Sequence, residues 1–174
     1  MHPPIRIFFL IVFSLSIVKA DNQANKKYIE AASRNEGNAE NGKKIFYDKR
    51  SLCSECHSIN GKANSIGPDL AAAGDKFSRS DIIQSIIHPS ASIMTGYATT
   101  IIETTNQESF IGILKSINDD NVILSNLDEK KRTIPKSIIK SQITSPASLM
   151  PVGLHTKLNT KEFTDLTAFL ESLK

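Results

Sequence analysis

The chain has few of the residues that build metal clusters, with only two cysteines and four histidines among 174 residues. A structural zinc site takes four ligands, usually with a second Cys or His pair at similar spacing, and no second pair exists here. A thioredoxin-like redox motif needs a βαβ context, which residues 40–70 do not show. The two cysteines must therefore be interpreted together with their immediate neighbours.

A basic patch and a membrane-length apolar run are also missing. The formal charge is +3, and Lys and Arg are spread along the chain, so we predict no nucleic-acid partner. The apolar run at residues 7–18 has 12 residues, short of the about 20 needed to span a bilayer. It follows Arg6 and precedes V-K-A at residues 18–20, an arrangement typical of a secretory signal peptide. We predict a signal peptide over residues 1–20 and, once it is cleaved before Asp21, no stable membrane span; an uncleaved anchor is the alternative.

The two cysteines lie in C-S-E-C-H at residues 53–57, the attachment motif for a c-type heme. Positions i, i+3 and i+4 of a helical turn share one face, so Cys53, Cys56 and His57 are expected to point the same way. The thiols then add to the two vinyl groups of the porphyrin, and the imidazole binds the iron. We predict one heme c, attached through Cys53 and Cys56, with His57 as an iron ligand. Zinc and a Cys53–Cys56 disulfide stay open as alternatives.

Heme attachment of this kind takes place outside the bacterial cytoplasmic membrane, so the motif and the predicted signal peptide support each other. We therefore expect the protein in the periplasm or otherwise exported. Residues 21–37 are polar and are interpreted as a flexible linker or a frayed helix. A first folded helix is expected near Asn38, with Gly42 allowing close approach of another helix. Further on, Pro68 offers a carbonyl to the second ring nitrogen of His57, as metal-bound histidines require; an ordinary Gly-Pro turn is the alternative.

The end of the chain carries a second motif, S-L-M-P-V-G-L at residues 148–154, followed by an apolar stripe at helical spacing. Asn159 or Thr160 is expected to cap this last helix. A loop methionine, a proline and a closing helix resemble the end of a class I cytochrome c. The resemblance implies that the first and last helices cross and that Met150 is the sixth ligand of the iron. Met94, His88, His155 and an open site stay as alternatives for that position, with His155 expected to be solvated in a polar turn.

Residues 97–145 lie between these two motifs and read as short strands separated by turns. The expected strands cover residues 97–105, 110–117, 122–125 and 131–134, in a small open barrel or curled sheet. With this insert, residues 38–174 resemble a group of bacterial heme-binding domains that carry a β-rich module before the methionine loop. The resemblance rests on the C-x-x-C-H and S-L-M-P motifs, on G-P-D-L at residues 67–70, and on Tyr97 and Gly112. Family members usually have Asp-Gly in the first hairpin, where this chain has Asn106 and Gln107.

The fold class expected from these observations is mainly α, a class I cytochrome c-like helical domain over residues 38–174 with a small inserted β-sheet. The expected function is a periplasmic mono-heme electron carrier between a dehydrogenase and an oxidase or reductase. No catalytic constellation is evident, so we do not predict an enzyme. The alternative is a heme-based sensor or ligand-binding module that uses the insert as an interaction surface. A further alternative is that the insert only buries the heme edge.

Overall fold

The computed structural model describes residues 23–61, 66–127 and 130–174; the predicted signal peptide lies outside them. Helix α1 covers residues 23–34. The other helices are α2 (Ala39–Phe46), α3 (Cys53–Cys56), α4 (Ala73–Lys76), α5 (Arg79–Ile87) and α6 (Thr160–Ser172), with short 3-10 helices at Lys136–Ile138 and Leu154–Lys157. The strands are β1 (Thr99–Thr104), β2 (Ser109–Ile117), β3 (Asn121–Ser125), β4 (Lys131–Pro135) and β5 (Ile139–Ser145). No helix in these ranges has both the length and the apolar character needed to cross a membrane.

The helices begin where the sequence supplies capping residues. Asn38 accepts a hydrogen bond from the Asn41 N–H at the start of α2. Asn159 and Glu162 form a reciprocal capping box at the start of α6, which confirms the predicted cap. Helix α5 is capped by Ser78. Asp81, three positions later, completes a second capping box with it.

The α2 and α6 helices cross in close contact, and Gly42 makes the crossing possible. A Cβ built at Gly42 would lie 2.0 Å from the backbone oxygen of Asp165, a distance that no side chain tolerates. The expected close approach of a second helix at this glycine is confirmed. Around the crossing lies the larger apolar core, formed by Ile45, Phe46, Ile82, Leu158, Leu166, Phe169 and Leu170.

The expectation that the fold is mainly α is wrong. About 39% of the structure is helix and about 22% is strand, and the strands form one five-stranded antiparallel sheet in the order β4-β3-β2-β1-β5. The sheet has an apolar core of its own, with Ile102, Val122, Leu124 and Ile134 buried on one face. The fifth strand, β5, pairs with β1 along most of its length, so the insert is a complete sheet layer rather than a small addition to a helical domain.

The segment expected to be a linker is also more ordered than predicted. Residues 23–34 form helix α1, in which Tyr28 is 5% exposed and Ala32 is fully buried. Both pack with Ile83, Ile87 and Phe163 in a second apolar cluster. The described part of this segment is therefore a packed helix, because its few apolar residues, at helical spacing, pack against apolar side chains of α5 and α6.

Candidate heme site

One large cavity lies between the helices and the sheet, with a volume of about 640 Å³. Its walls are mostly apolar and include Phe46, Leu70, Ile82, Ile86, Leu149, Leu154, Leu158, Leu166 and Leu170. The side chains of Cys53, Cys56, His57, Pro68 and Met150 line the same cavity. All five predicted site residues therefore come together at one place, although they come from three separate parts of the sequence.

The local backbone at the motif presents both cysteines to the cavity. Leu52 has a left-handed backbone conformation with φ of 59°, which turns the chain sharply into α3. Its neighbour Ser51 is buried and donates a hydrogen bond to the Ile45 carbonyl at 2.7 Å, which fixes the turn to the end of α2. Burial raises the pKa of the Cys53 thiol, and the two cysteines are unbonded thiols in this structure. Thiols are the form that adds to a vinyl group.

His57 is held in a single ring orientation. Its Nδ1 lies 2.9 Å from the Pro68 carbonyl, and because a carbonyl only accepts, Nδ1–H is the donor. The apolar surroundings lower the pKa of His57, and the hydrogen bond to Pro68 opposes this only in part. A neutral imidazole with its proton on Nδ1 is the form in which histidine binds a metal through Nε2.

The segment that carries Pro68 is tied back to the motif. The Gly67 N–H donates to the Cys56 carbonyl at 3.0 Å, and the Leu70 N–H donates to the Ser58 carbonyl at 2.7 Å. Asp69 accepts hydrogen bonds from the Ser58 hydroxyl and from three backbone N–H groups, of Asn60, Gly61 and Ala71. A Cβ at Gly67 would lie 2.8 Å from the Nδ1 of His57, so this glycine leaves the space that the imidazole occupies.

Met150 lies in the loop of residues 148–154, which we call the methionine loop. The Ser148 N–H donates to the Ser90 hydroxyl at 3.0 Å, and the Met150 N–H donates to the Ser148 hydroxyl at 3.1 Å. Gly153 has a positive φ of 82° and ends the loop at the 3-10 helix. Met94 also lines the cavity but is 38% exposed, and His88 is exposed at the end of α5.

Several residues of the cavity wall were not identified from the sequence. The insert contributes Ile113 of β2, Leu127 in the turn after β3 and Tyr97 just before β1, so it forms part of the cavity. His155, expected to be solvated, is 3% exposed and also lines the cavity. It is buried because its ring packs against Tyr28, whose helix was interpreted as a linker. The apolar spacing of Tyr28 and Ala32 is the one sequence feature that indicates this packing.

The residues fit a porphyrin. The cavity is apolar, its volume lies within the range of small-molecule and cofactor sites, and the space beside His57 is kept by Gly67. Residues 39–122 match the family model for cytochrome c, and this match supports assignment of the chain to the class I cytochrome c family. The match supports a heme c electron-transfer protein, since cytochrome c domains generally transfer electrons to redox partners. A comparison with curated proteins finds no match.

Proposed function

We propose that this protein is an exported mono-heme cytochrome c that carries single electrons between partner proteins, with His57 and Met150 as axial ligands of the iron. The observation that supports this most is the meeting of Cys53, Cys56, His57 and Met150 on the wall of one cavity. The family match ends at residue 122 and does not reach Met150, so the sixth ligand rests on the geometry of the methionine loop.

Each of the four side chains has a distinct role. Cys53 and Cys56 would hold the porphyrin, each through one carbon–sulfur bond to a vinyl group, with each thiol hydrogen passing to the neighbouring vinyl carbon. His57 would offer its Nε2 to the iron, and its Nδ1–H donates to the Pro68 carbonyl, which fixes the plane of the ring. Met150 gives a thioether sulfur, a ligand that favours Fe(II) and raises the reduction potential. When bound, heme c supplies a reversible one-electron Fe(III)/Fe(II) couple.

The sheet has a role in this proposal as well. Tyr97, Ile113 and Leu127 form the part of the wall that comes from residues 97–145. An apolar wall excludes water, and a lower polarity around the iron disfavours the more highly charged Fe(III) form. We propose that the insert buries the cofactor and raises its potential.

The attachment chemistry supports the proposal that the protein is exported. The covalent bonds to a C-x-x-C-H motif are made outside the bacterial cytoplasmic membrane, and residues 1–20 have the pattern of a signal peptide. We propose a periplasmic location, where a dehydrogenase would donate the electron and an oxidase or reductase would accept it. Fractionation and N-terminal sequencing test this; a mature chain that begins at Asp21 is expected, and a chain retained in the cytoplasm would contradict it.

Replacing the proposed sixth ligand tests the ligand set. Met150→Ala is expected to abolish the methionine–iron charge-transfer absorption of the oxidised protein and to lower the midpoint potential. It should raise CO affinity by at least about tenfold, equivalent to about 1.4 kcal/mol, because no thioether has to be displaced. Met94→Ala is the matched control, since Met94 lines the same cavity and is expected to change neither property. If Met94→Ala removes the absorption and Met150→Ala does not, the proposed ligand is wrong.

The same measurement decides between a carrier and a heme-based sensor. The sensor alternative depends on the contact of the insert with the cavity through Ile113 of β2 and Leu127 of the following turn, which would transmit a change at the iron to the insert. A sensor needs a sixth position that is open or easily vacated. Wild-type protein that binds CO as tightly as Met150→Ala would favour the sensor, and a large difference favours the carrier.

A further inference from the structure

His155 connects three elements that meet beside the methionine loop. It lies in the 3-10 helix Leu154–Lys157, directly after that loop, and is 3% exposed. Its ring packs edge-on against Tyr28 of α1, with centroids 4.9 Å apart, and also contacts Phe163 of α6 at 6.1 Å. Tyr28 and Phe163 contact each other as well, at 5.5 Å. The end of the methionine loop is thereby enclosed between the first and last helices of the described chain.

Two hydrogen bonds join α1 to the segment that follows the methionine loop. The Nε2 of His155 lies 2.9 Å from the Oδ1 of Asn25, and the Tyr28 hydroxyl donates to the Leu158 carbonyl at 2.7 Å. Asn25 and Tyr28 are three residues apart and so share one face of the helix. Both bonds span about 130 residues of sequence, and they fix both ends of residues 155–158.

The other end of α1 is attached to the helical core. The guanidinium of Arg79, in the first turn of α5, donates to the carbonyls of Ala32 at 2.7 Å, Asn35 at 2.7 Å and Glu36 at 3.0 Å. Arg79 also pairs with Glu171 of α6. The C-terminal end of α1 is therefore attached to α5 and α6. Because this end is held, Asn25 and Tyr28 have a defined position relative to residues 155–158.

We propose that α1 is a strap that positions Met150, acting through Asn25 and Tyr28 on the segment from His155 to Leu158. The methionine loop has two fixed ends, the Ser148 contact with Ser90 and the contacts of His155 with α1. In this proposal, movement of Met150 away from the cavity is opposed at both of these ends. This inference rests on the proposed role of Met150 as sixth ligand, and it makes Asn25, Tyr28 and His155 positioning residues.

Competition by imidazole for the sixth position of the oxidised holoprotein tests the strap. Asn25→Ala removes the acceptor for His155, and Tyr28→Phe removes the hydroxyl but keeps the ring contacts. Each variant is expected to raise imidazole affinity about fivefold, the change that corresponds to one ordinary hydrogen bond. Asn25→Asp keeps an acceptor oxygen at the same place and should restore nearly the wild-type affinity. Lys26→Ala is the control, because Lys26 lies on the same helix and is exposed.

A second readout separates positioning from general stability. Imidazole affinity is measured without denaturant, where every variant is folded by far-UV circular dichroism, and unfolding by guanidinium is measured separately. Unchanged imidazole affinity in both Asn25→Ala and Tyr28→Phe would overturn the strap, as would an equal change in Lys26→Ala. If wild-type protein lacks the methionine–iron absorption, the proposed ligand set fails and the strap fails with it. If wild type has that absorption but the imidazole affinity is unchanged in both variants, the strap is wrong and the proposed ligand set is unaffected.

Discussion

At the scale of single residues, the arrangement of the site was largely predictable because it depends on short spacings. The i, i+3, i+4 pattern of Cys53, Cys56 and His57 needs no long-range information, and the three side chains line one cavity as that pattern suggests. The contact of His57 with Pro68 spans 11 residues and was predicted from the second hydrogen bond that a metal-bound histidine needs. The burial of His155 was not predictable in this way, because it depends on Asn25 and Tyr28 far away in the sequence.

Gly67 gives a prediction at this scale. A Cβ there would lie 2.6 Å from the Cys56 carbonyl oxygen and 2.8 Å from the His57 Nδ1, so Gly67→Ala must displace the imidazole or the Pro68 segment. We expect a loss of about 1–3 kcal/mol in the free energy of unfolding, the usual cost of overpacking. We also expect fewer heme groups per purified chain, measured by pyridine hemochrome. Ser54→Ala is the control, at a variable position of the motif, and an identical heme content in the two variants would contradict the prediction.

At the scale of elements, the cap of α6 and the bounds of the four expected strands were predictable to within about two residues, since capping and turn residues are local. The expected strand at residues 131–134 is the observed Lys131–Pro135, and the expected strand at 122–125 is Asn121–Ser125. The packing of helix α1 was not predicted, because its composition is polar and its partners lie on α5, α6 and the 3-10 helix. Contacts of this kind have no local pattern beyond the spacing of Tyr28 and Ala32.

The contact between α2 and α6 gives a pH prediction through Asp165, which is 1% exposed. Burial alone would raise the pKa of Asp165, but hydrogen bonds from Lys161, Asn41 and the Asn38 N–H outweigh it and lower the pKa below its ordinary 3.8. A lowered carboxyl pKa stabilises the fold above the unfolded-state value, and this stability is lost as pH falls through the folded-state value.

Asp165→Asn is therefore expected to lower the free energy of unfolding at pH 7 by about 1.5–3 kcal/mol, the range for hydrogen bonds to a charged group. The difference between wild type and variant should shrink as pH falls below about 3.8. Urea unfolding at several pH values between 7 and 3 measures it. The exposed Asp75→Asn is the control, and a difference that stays constant with pH would show that the carboxylate charge of Asp165 does not stabilise the contact.

At the scale of the whole molecule, the sequence led to a wrong balance between helix and sheet. The insert was expected to be a small addition, but its five strands bury a separate core around Ile102 and Leu124 and also supply part of the cavity wall. Strand pairing across the whole sheet, such as that of β5 with β1, joins segments about 40 residues apart and cannot be read from local alternation. Four of the five strands were therefore identified from the sequence, while β5, the size of the layer and its position beside the cavity were not.

The sheet wall gives a prediction for the reduction potential. Leu127 is 60% exposed and lines the cavity, so Leu127→Gln should cost little stability but make the surroundings of the iron more polar. We expect the midpoint potential to fall by about 30 mV, roughly a threefold change in the one-electron equilibrium. Ile117→Gln is the matched control, since Ile117 lies in the same insert, is 51% exposed and does not line the cavity. Equal potentials in the two variants would show that the sheet wall does not tune the iron.

Covalent attachment of one heme to Cys53 and Cys56 is the claim on which every other proposal depends. The most direct measurement is the heme content of the purified, exported protein after denaturation and extraction with acidified acetone, by pyridine hemochrome and intact mass. We expect one heme per chain that stays with the protein, and none in the variant with both Cys53→Ala and Cys56→Ala. Heme that extracts into the solvent, or a wild-type chain with no added mass, would contradict the assignment of the motif.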